Sequence, residues 1–314
     1  MREPGANRWV HPSVVLVATD LTDLDRLMPF ALDQGTQTGA RLILLHVISG
    51  AESLTADVTG MPYYDPAGAL EIAARELELR CSIARGHGLL CDSLVREGNA
   101  AQQILSAARQ FHVDRILLGT RSRGRISKLF LGSVAEQVLR SVNLPVITVG
   151  PEAHREVSDS TPERVVLHAT TLSEASRPSA ALACQTAALL HARLVLLHVL
   201  PHLDEIHRMA LPAGLDCAAI QQMNDMARAM ACTGFPIEPR VVHGNPAIEI
   251  LATASELKAS LIVLAATNKS TFETLTRDGT VYKVLAHARC PVLSLREPAT
   301  SEDAWTLAHE VLHS

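Results

Sequence analysis

The residues of this chain best suited to chemistry stand where apolar runs end. VVLVAT closes on Ala18 and Thr19 and is followed by Asp20; RLILLHV closes on His46 and Val47; DRILLG closes on Leu118 and Gly119. From Gly119 the chain runs on as GTRSRGRISKLFLGSVAEQVL, in which Arg121, Arg123, Arg125 and Lys128 put four cations within eight residues without a single carboxylate. Gly132 and Ser133 then open a helical stretch, SVAEQVLRSV. A glycine directly after a strand lets backbone come close to a ligand. The free N–H groups at a helix N-terminus, with the helix dipole behind them, attract anions and phosphate above all. Ser133 is expected to cap that helix and to offer its hydroxyl to a phosphate oxygen. Arginines add charge-assisted contacts of the same kind. No nucleophile–base pair, no metal-type cluster and no Walker A motif accompanies this segment, so it reads as a binding site with no catalytic residue and no metal ligand.

The elements that must position these residues repeat along the chain. VVLVATDLT at 14–22 returns as VVLHATTLS at 165–173, and ARLILLHVI at 40–48 as ARLVLLHVL at 192–200. EGNAAQQIL at 97–105 returns as HGNPAIEIL at 243–251, DRILLGT at 114–120 as SLIVLAA at 260–266, and LGSVAEQVLRSVNLPVITV at 131–149 as DGTVYKVLAHARCPVLSL at 278–295. The order is kept and the offsets stay near 150. Each copy reads as strands alternating with helices. The strands are apolar throughout, as in parallel sheets covered on both faces. The expected fold is therefore α/β, two tandem Rossmann-like doubly wound domains, each with a five-stranded parallel sheet. Within 66–86 the series Leu70, Ala73, Leu77, Cys81 and Ala84 predicts the buried face of a helix. Ligands of such sheets sit at the carboxyl ends of the strands, at the switch in strand order. We place the first domain at 10–150, a polar linker at 151–162, the second domain at 163–297 and a short tail helix at 298–314.

Composition narrows the function classes. A net charge of −5 over 314 residues and an aromatic content of 3% argue against nucleic acid and anionic lipid as partners. No run is long and apolar enough for a membrane helix, and MREPGANRWVHPS lacks the apolar centre of a signal peptide. The six cysteines form no C-x-x-C pair and are expected to be reduced and mostly buried, in a cytoplasmic protein. His46 and His198 form a matched pair expected to be structural and hydrogen-bonded.

These residues resemble the universal stress protein family, and the resemblance spans nearly the whole chain as two tandem domains. The family signature is G-x2-G-x9-G-[S/T], preceded by an Asp at the end of the first strand. Gly119 and the pair Gly132-Ser133 fall on it with its overall spacing, while Ser122 stands at the second glycine. The resemblance implies that Asp20 lies at the adenine and ribose end. It implies that Ala18, Val47 and Leu118 line an adenine pocket. Thr19, Thr120, Arg121, Ser122, Arg123 and Val134 complete the nucleotide-binding set, and the implied ligand is ATP, with Mg²⁺ as its companion. The second copy departs further: Thr171 takes the place of Asp20, Ala266 that of the first glycine and Lys269 that of the second, and only Gly279-Thr280 remains. Its loop balances Lys269 and Arg277 against Glu273 and Asp278. The second copy is therefore expected to bind nucleotide weakly or not at all.

The resulting expectation is a stress-response sensor or regulatory module that binds ATP in its first domain. The resemblance further implies pairing through the last strand, so that LPVITV and CPVLSL would make an internal pseudo-dimer, with a homodimer of whole chains also open. Two alternatives stand beside this: a nucleotide-free scaffold for another protein, and a slow ATPase.

Overall fold

The computed structural model describes residues 7–49, 54–56, 62–120, 131–153, 163–200, 215–230, 236–266 and 279–296. They fall into two compact units. One is His11–Pro151; the other joins residues 7–10 to the described residues from Glu152 onward. The predicted tail helix at 298–314 and most of the predicted linker lie outside the described residues.

In chain order α1 (Asn7–Val10), grouped with the second unit, precedes β1 (Val14–Thr19), α2 (Leu24–Thr38) and β2 (Arg41–Ile48). Then come β3 (Leu54–Ala56), β4 (Pro62–Tyr64), α3 (Pro66–Gly86), β5 (Cys91–Glu97), α4 (Ala100–Gln110), β6 (Arg115–Gly119), α5 (Ser133–Ser141) and β7 (Val146–Val149). The main strands of the first unit lie in the order β7-β6-β1-β2-β5, and every neighbouring pair is parallel. The chain winds from β1 through β2 to β5, then crosses back to the other side of β1 for β6 and β7. The switch in direction thus falls between β1 and β6. The β3–β4 pair is a small antiparallel hairpin that the alternating pattern did not announce.

The central strands are buried on both faces: Val15, Leu16, Val17, Leu42, Leu44, Ile116 and Leu117 are all inaccessible. That is why they read as unbroken apolar runs. Asp114 sets β1 beside β6, its carboxylate accepting from the N–H groups of Ser13 and Val14 at 2.7 and 3.1 Å. In α3, Asp65 caps the first turn by accepting from the Gly68 N–H at 2.9 Å, and Pro66 takes a first-turn position that needs no N–H. Ala73, Leu77, Cys81 and Ala84 form its buried face as expected, but Leu70 does not join them and is 44% exposed. The burial of α3 begins only after its first turn.

The second unit continues with β8 (Val165–Ala169), a 3-10 turn at Glu174–Ser176, α6 (Arg177–Leu189), β9 (Arg193–Leu200), α7 (Leu215–Met230) and β10 (Ile237–His243). It ends with α8 (Pro246–Glu256), β11 (Leu261–Ala266), α9 (Thr280–His287) and β12 (Val292–Arg296). Its strand order, β12-β11-β8-β9-β10, is again all parallel and repeats the winding of the first unit. Among the described residues no helix is long and apolar enough to cross a membrane.

Candidate functional site at the strand ends

Strand register brings the predicted residues of the first copy to one edge. Ala18 pairs with Leu118 on one side and Leu45 on the other, Thr19 pairs with His46, and Gly119 pairs with Val149. Ala18, Thr19, Val47, Leu118 and Thr120 are buried, Asp20, Gly119 and Val134 are half-buried, and Ser133 is exposed. Arg121, Ser122 and Arg123, with Arg125 and Lys128, lie outside the described residues.

The Gly132 N–H donates to the Thr120 carbonyl at 2.6 Å, which ties the start of α5 to the end of β6. Gly132, extended at φ −64° and ψ 144°, is itself the N-cap, and its carbonyl accepts the first helical bond from the Glu136 N–H at 2.9 Å. The N–H groups of Ser133, Val134 and Ala135 therefore have no acceptor within the helix. This corrects the role expected of Ser133. It is the first helical residue, one position too late to cap, and no side chain caps this helix. Beside it the Thr120 hydroxyl is buried and has no hydrogen-bond partner among the described residues.

The loop after β1 holds a carboxyl that sequence reading passed over. Asp23 is buried, and its Oδ1 accepts from the Thr19 hydroxyl at 2.6 Å. Its other oxygen lies against Gly119: a Cβ added there would stand 2.1 Å from Asp23 Oδ2 and 3.4 Å from Arg26 Nη2. Gly119 is thus required by a close approach and not by its backbone angles. The Arg26 guanidinium stands 3.8 Å from the same carboxyl oxygen. Burial pushes the Asp23 pKa up to about 6, against the opposing hydrogen bond from Thr19. The Thr19–Asp23 spacing was visible, but LTDLDR reads as an ordinary polar helix start. Only the fold shows which of its three polar acids and hydroxyls turns inward.

Asp20 makes a turn of its own. Its Oδ1 accepts from the Thr22 N–H at 2.9 Å and from the Thr22 hydroxyl at 2.6 Å, and Leu21 between them takes a left-handed φ of 71°. His46 Nδ1 lies 2.9 Å from the Thr19 carbonyl, and His198 Nδ1 lies 2.9 Å from the matching Thr170 carbonyl. Both histidines brace the end of a first strand.

The second copy keeps this backbone and changes its polar groups. Leu172 repeats the left-handed turn at φ 61°, and Thr171 bonds Ser173 by hydroxyls 2.9 Å apart. Thr170 meets Ser176 at 3.1 Å where Thr19 meets Asp23, while Glu174 is exposed and paired with Arg177. Register also corrects one alignment. Leu264 pairs with Ala169 as Leu118 pairs with Ala18, so Ala265, and not Ala266, stands where Gly119 does. Gly279 repeats the extended N-cap of Gly132, at φ −68° and ψ 144°.

Fold and strand-end geometry define a tandem, doubly wound α/β protein. The model of the universal stress protein family matches residues 13–150 and again 163–296, and the chain belongs to that family. A universal stress protein of Thermus aquaticus is 31% identical over 142 residues, which is 43% of this chain and 96% of that protein. Universal stress protein YxiE of Bacillus subtilis is 27% identical over 143 residues, 43% of this chain and 97% of its own. Among solved structures, a universal stress protein from Archaeoglobus fulgidus superposes with a TM-score of 0.70 at 20% identity, over 91% of this chain and 99% of that one. A functionally unknown protein from Pseudomonas aeruginosa superposes with a TM-score of 0.62 at 17% identity, over 98% and 100%. These two likenesses concern the fold of the whole tandem chain.

Proposed function

We propose that the first domain binds an adenine nucleotide, ATP with Mg²⁺ above all, and serves as a stress-responsive regulatory module with the second domain as its structural partner. The observation that carries this reading is the 2.6 Å bond from Gly132 to Thr120. It aims the N–H groups of α5 that have no acceptor within the helix at the end of β6, beside the strand-order switch, where parallel sheets take their ligands. Thr120 adds a buried hydroxyl without a partner among the described residues, and Arg26 adds a guanidinium. One observation favours the nucleotide-free scaffold instead: the Asp23 carboxyl packs on Gly119, at the end of the site where phosphates would lie.

The test is calorimetric titration of the full chain with ATP and Mg²⁺, beside Gly132→Asp and Gly279→Asp. A carboxylate at a phosphate site meets like charge at close range, which weakens binding by about 100-fold or more. The expected result is one ATP per chain, lost in Gly132→Asp and kept in Gly279→Asp. No heat from the wild-type chain with any adenine nucleotide would leave the scaffold reading in its place.

A further inference from the structure

Away from the strand-end site, the first unit buries two thiols against each other. Cys81, in the last turns of α3, and Cys91, the first residue of β5, have their Sγ atoms 2.8 Å apart. Both are free and buried. The turn between them is held from several sides. The Leu89 N–H donates to the Ala84 carbonyl at 3.1 Å, and Gly88 takes a left-handed φ of 79°. The Arg85 guanidinium donates twice to the Cys91 carbonyl, through Nε at 3.0 Å and Nη2 at 2.8 Å. Cys91 is paired in the sheet with Leu42. The two sulfurs therefore need under about 1 Å of further approach to reach bonding distance.

We propose that Cys81 and Cys91 form a reversible dithiol–disulfide couple, oxidised by a hydroperoxide, that fastens the end of α3 to the edge strand β5. The oxidant enters by a surface cavity of about 360 Å³ lined by Arg41, Arg85, Leu90, Cys91 and Asp92. Cys91 lines that cavity, and Cys81 is fully buried beside it. Cys91 is accordingly the first nucleophile. Its thiolate attacks one peroxide oxygen, the O–O bond breaks, and the sulfur becomes a sulfenic acid while the other oxygen leaves as water (or as alcohol from an alkyl hydroperoxide) after taking a proton. The Cys81 sulfur then attacks the sulfenic sulfur, gives up its proton, and releases the hydroxyl as water. Two thiols are oxidised by two electrons and the hydroperoxide is reduced by two. The second copy carries Ile237 at the matching strand position, since it pairs with Leu194 as Cys91 pairs with Leu42, so the couple is peculiar to the first domain. This inference does not rest on nucleotide binding.

The sequence makes the test direct, because trypsin cuts after Arg80, Arg85 and Arg96 and separates the two cysteines. Native full-length chain carrying Cys217→Ser, which removes an exposed thiol, is treated with hydrogen peroxide, quenched, denatured, blocked with N-ethylmaleimide and digested without reductant. The expected product is peptide 81–85 joined to peptide 86–96 by a disulfide, released by dithiothreitol. Amide exchange across 81–91 in the oxidised protein should slow by about 10-fold or more relative to the reduced protein. In Cys81→Ser, dimedone should trap a sulfenic acid on Cys91. The proposal fails if both cysteines are alkylated as fully as in untreated protein, if they go to sulfinic acids without pairing, or if either pairs with another cysteine. The first of these readouts needs no variant at the pair, so misfolding of Cys81→Ser cannot hide the answer.

Discussion

At the end of β6 the first domain sets a glycine against a buried carboxyl; at the end of β11 the second domain has Ala265 and a pair of hydroxyls, Thr170 and Ser176. One strand position earlier than Ala18 and Ala169 the contrast reverses. The first domain has Val17 there, while the second buries His168, whose Nδ1 donates to the Val263 carbonyl at 3.1 Å and whose Nε2 has no partner. Each domain thus carries near its first strand a buried titratable group that the other lacks, acidic in one and basic in the other. The lesson is that the duplication has kept the backbone while the polar interior has diverged as sets. A carboxyl comes with the glycine that makes room for it, and where the carboxyl is gone a Cβ has returned.

The sharpest way to break that contrast is pH. Burial lowers the His168 pKa to about 4. A proton there would leave a charged N–H without an acceptor. Between about 4 and 6.5 the unfolded chain binds that proton and the folded domain does not. Stability from this group is therefore present in full above about 6.5 and is lost as pH falls toward about 4. Asp23 has the opposite sign. Its folded pKa of about 6 lies above its unfolded value, so its contribution is present below about 4 and is lost as pH rises through about 6. Each window corresponds to roughly 3 kcal/mol as an order of magnitude. His168→Val, which installs the residue of the first copy, should flatten the acid limb of the second domain. Asp23→Asn should make the first domain progressively more stable than wild type as pH rises from about 4 to 6. Hydrogen exchange resolved by peptide at pH about 4.5 and about 7 assigns each effect to its domain. Equal slopes in both domains would break the contrast.

The difference between what sequence showed and what it concealed follows the same line. VVLVAT, RLILLHV and DRILLG betray covered parallel strands because burial on both faces leaves no polar alternation to confuse them. Gly132 could be placed at a helix start because SVAEQVL changes period directly after it. Asp23 was illegible because inward and outward acids look alike in LTDLDR, and its burial depends on Thr19 and Gly119, which lie on two different strands. Ala265 could be matched to Gly119 from the return of DRILLGT as SLIVLAA, and the pairing of β11 with β8 sets the same register. The Cys81–Cys91 contact requires knowing how tightly the α3–β5 turn closes, which composition does not encode.

A smaller effect tests whether carboxyl and glycine are one unit. Gly119→Ala should destabilise the first domain by about 2 kcal/mol, since its Cβ must displace a carboxyl held by Thr19. Ala265→Gly, the reciprocal change, should cost the second domain only about 0.5–1 kcal/mol through backbone entropy. Shortening the acid in Asp23→Ala should relieve the clash, so the double variant Asp23→Ala, Gly119→Ala should be more stable than the sum of its parts by about 1 kcal/mol or more. Strict additivity in urea titrations would mean that Gly119 is small for another reason.

The smallest effect concerns a feature both domains share, and it bounds how far the divergence goes. Ahead of α4 the Asn99 side chain accepts from the Gln102 N–H at 3.0 Å. Ahead of α8 the Asn245 side chain accepts from the Ala247 N–H at 3.1 Å and the Ile248 N–H at 3.4 Å. Each asparagine follows a glycine at positive φ, Gly98 at 117° and Gly244 at 155°, so the chain enters both helices by the same bend. Pro246 at the start of α8 removes no helical bond, because that N–H would have had no partner in the helix. Cap and bend depend only on local backbone. Asn99→Ala and Asn245→Ala should therefore each cost about 1 kcal/mol, alike in both domains and independent of pH between about 5 and 8. Were only one of them to matter, the divergence would have reached the scaffold itself, and the polar interiors could no longer be treated as changes made on a common frame.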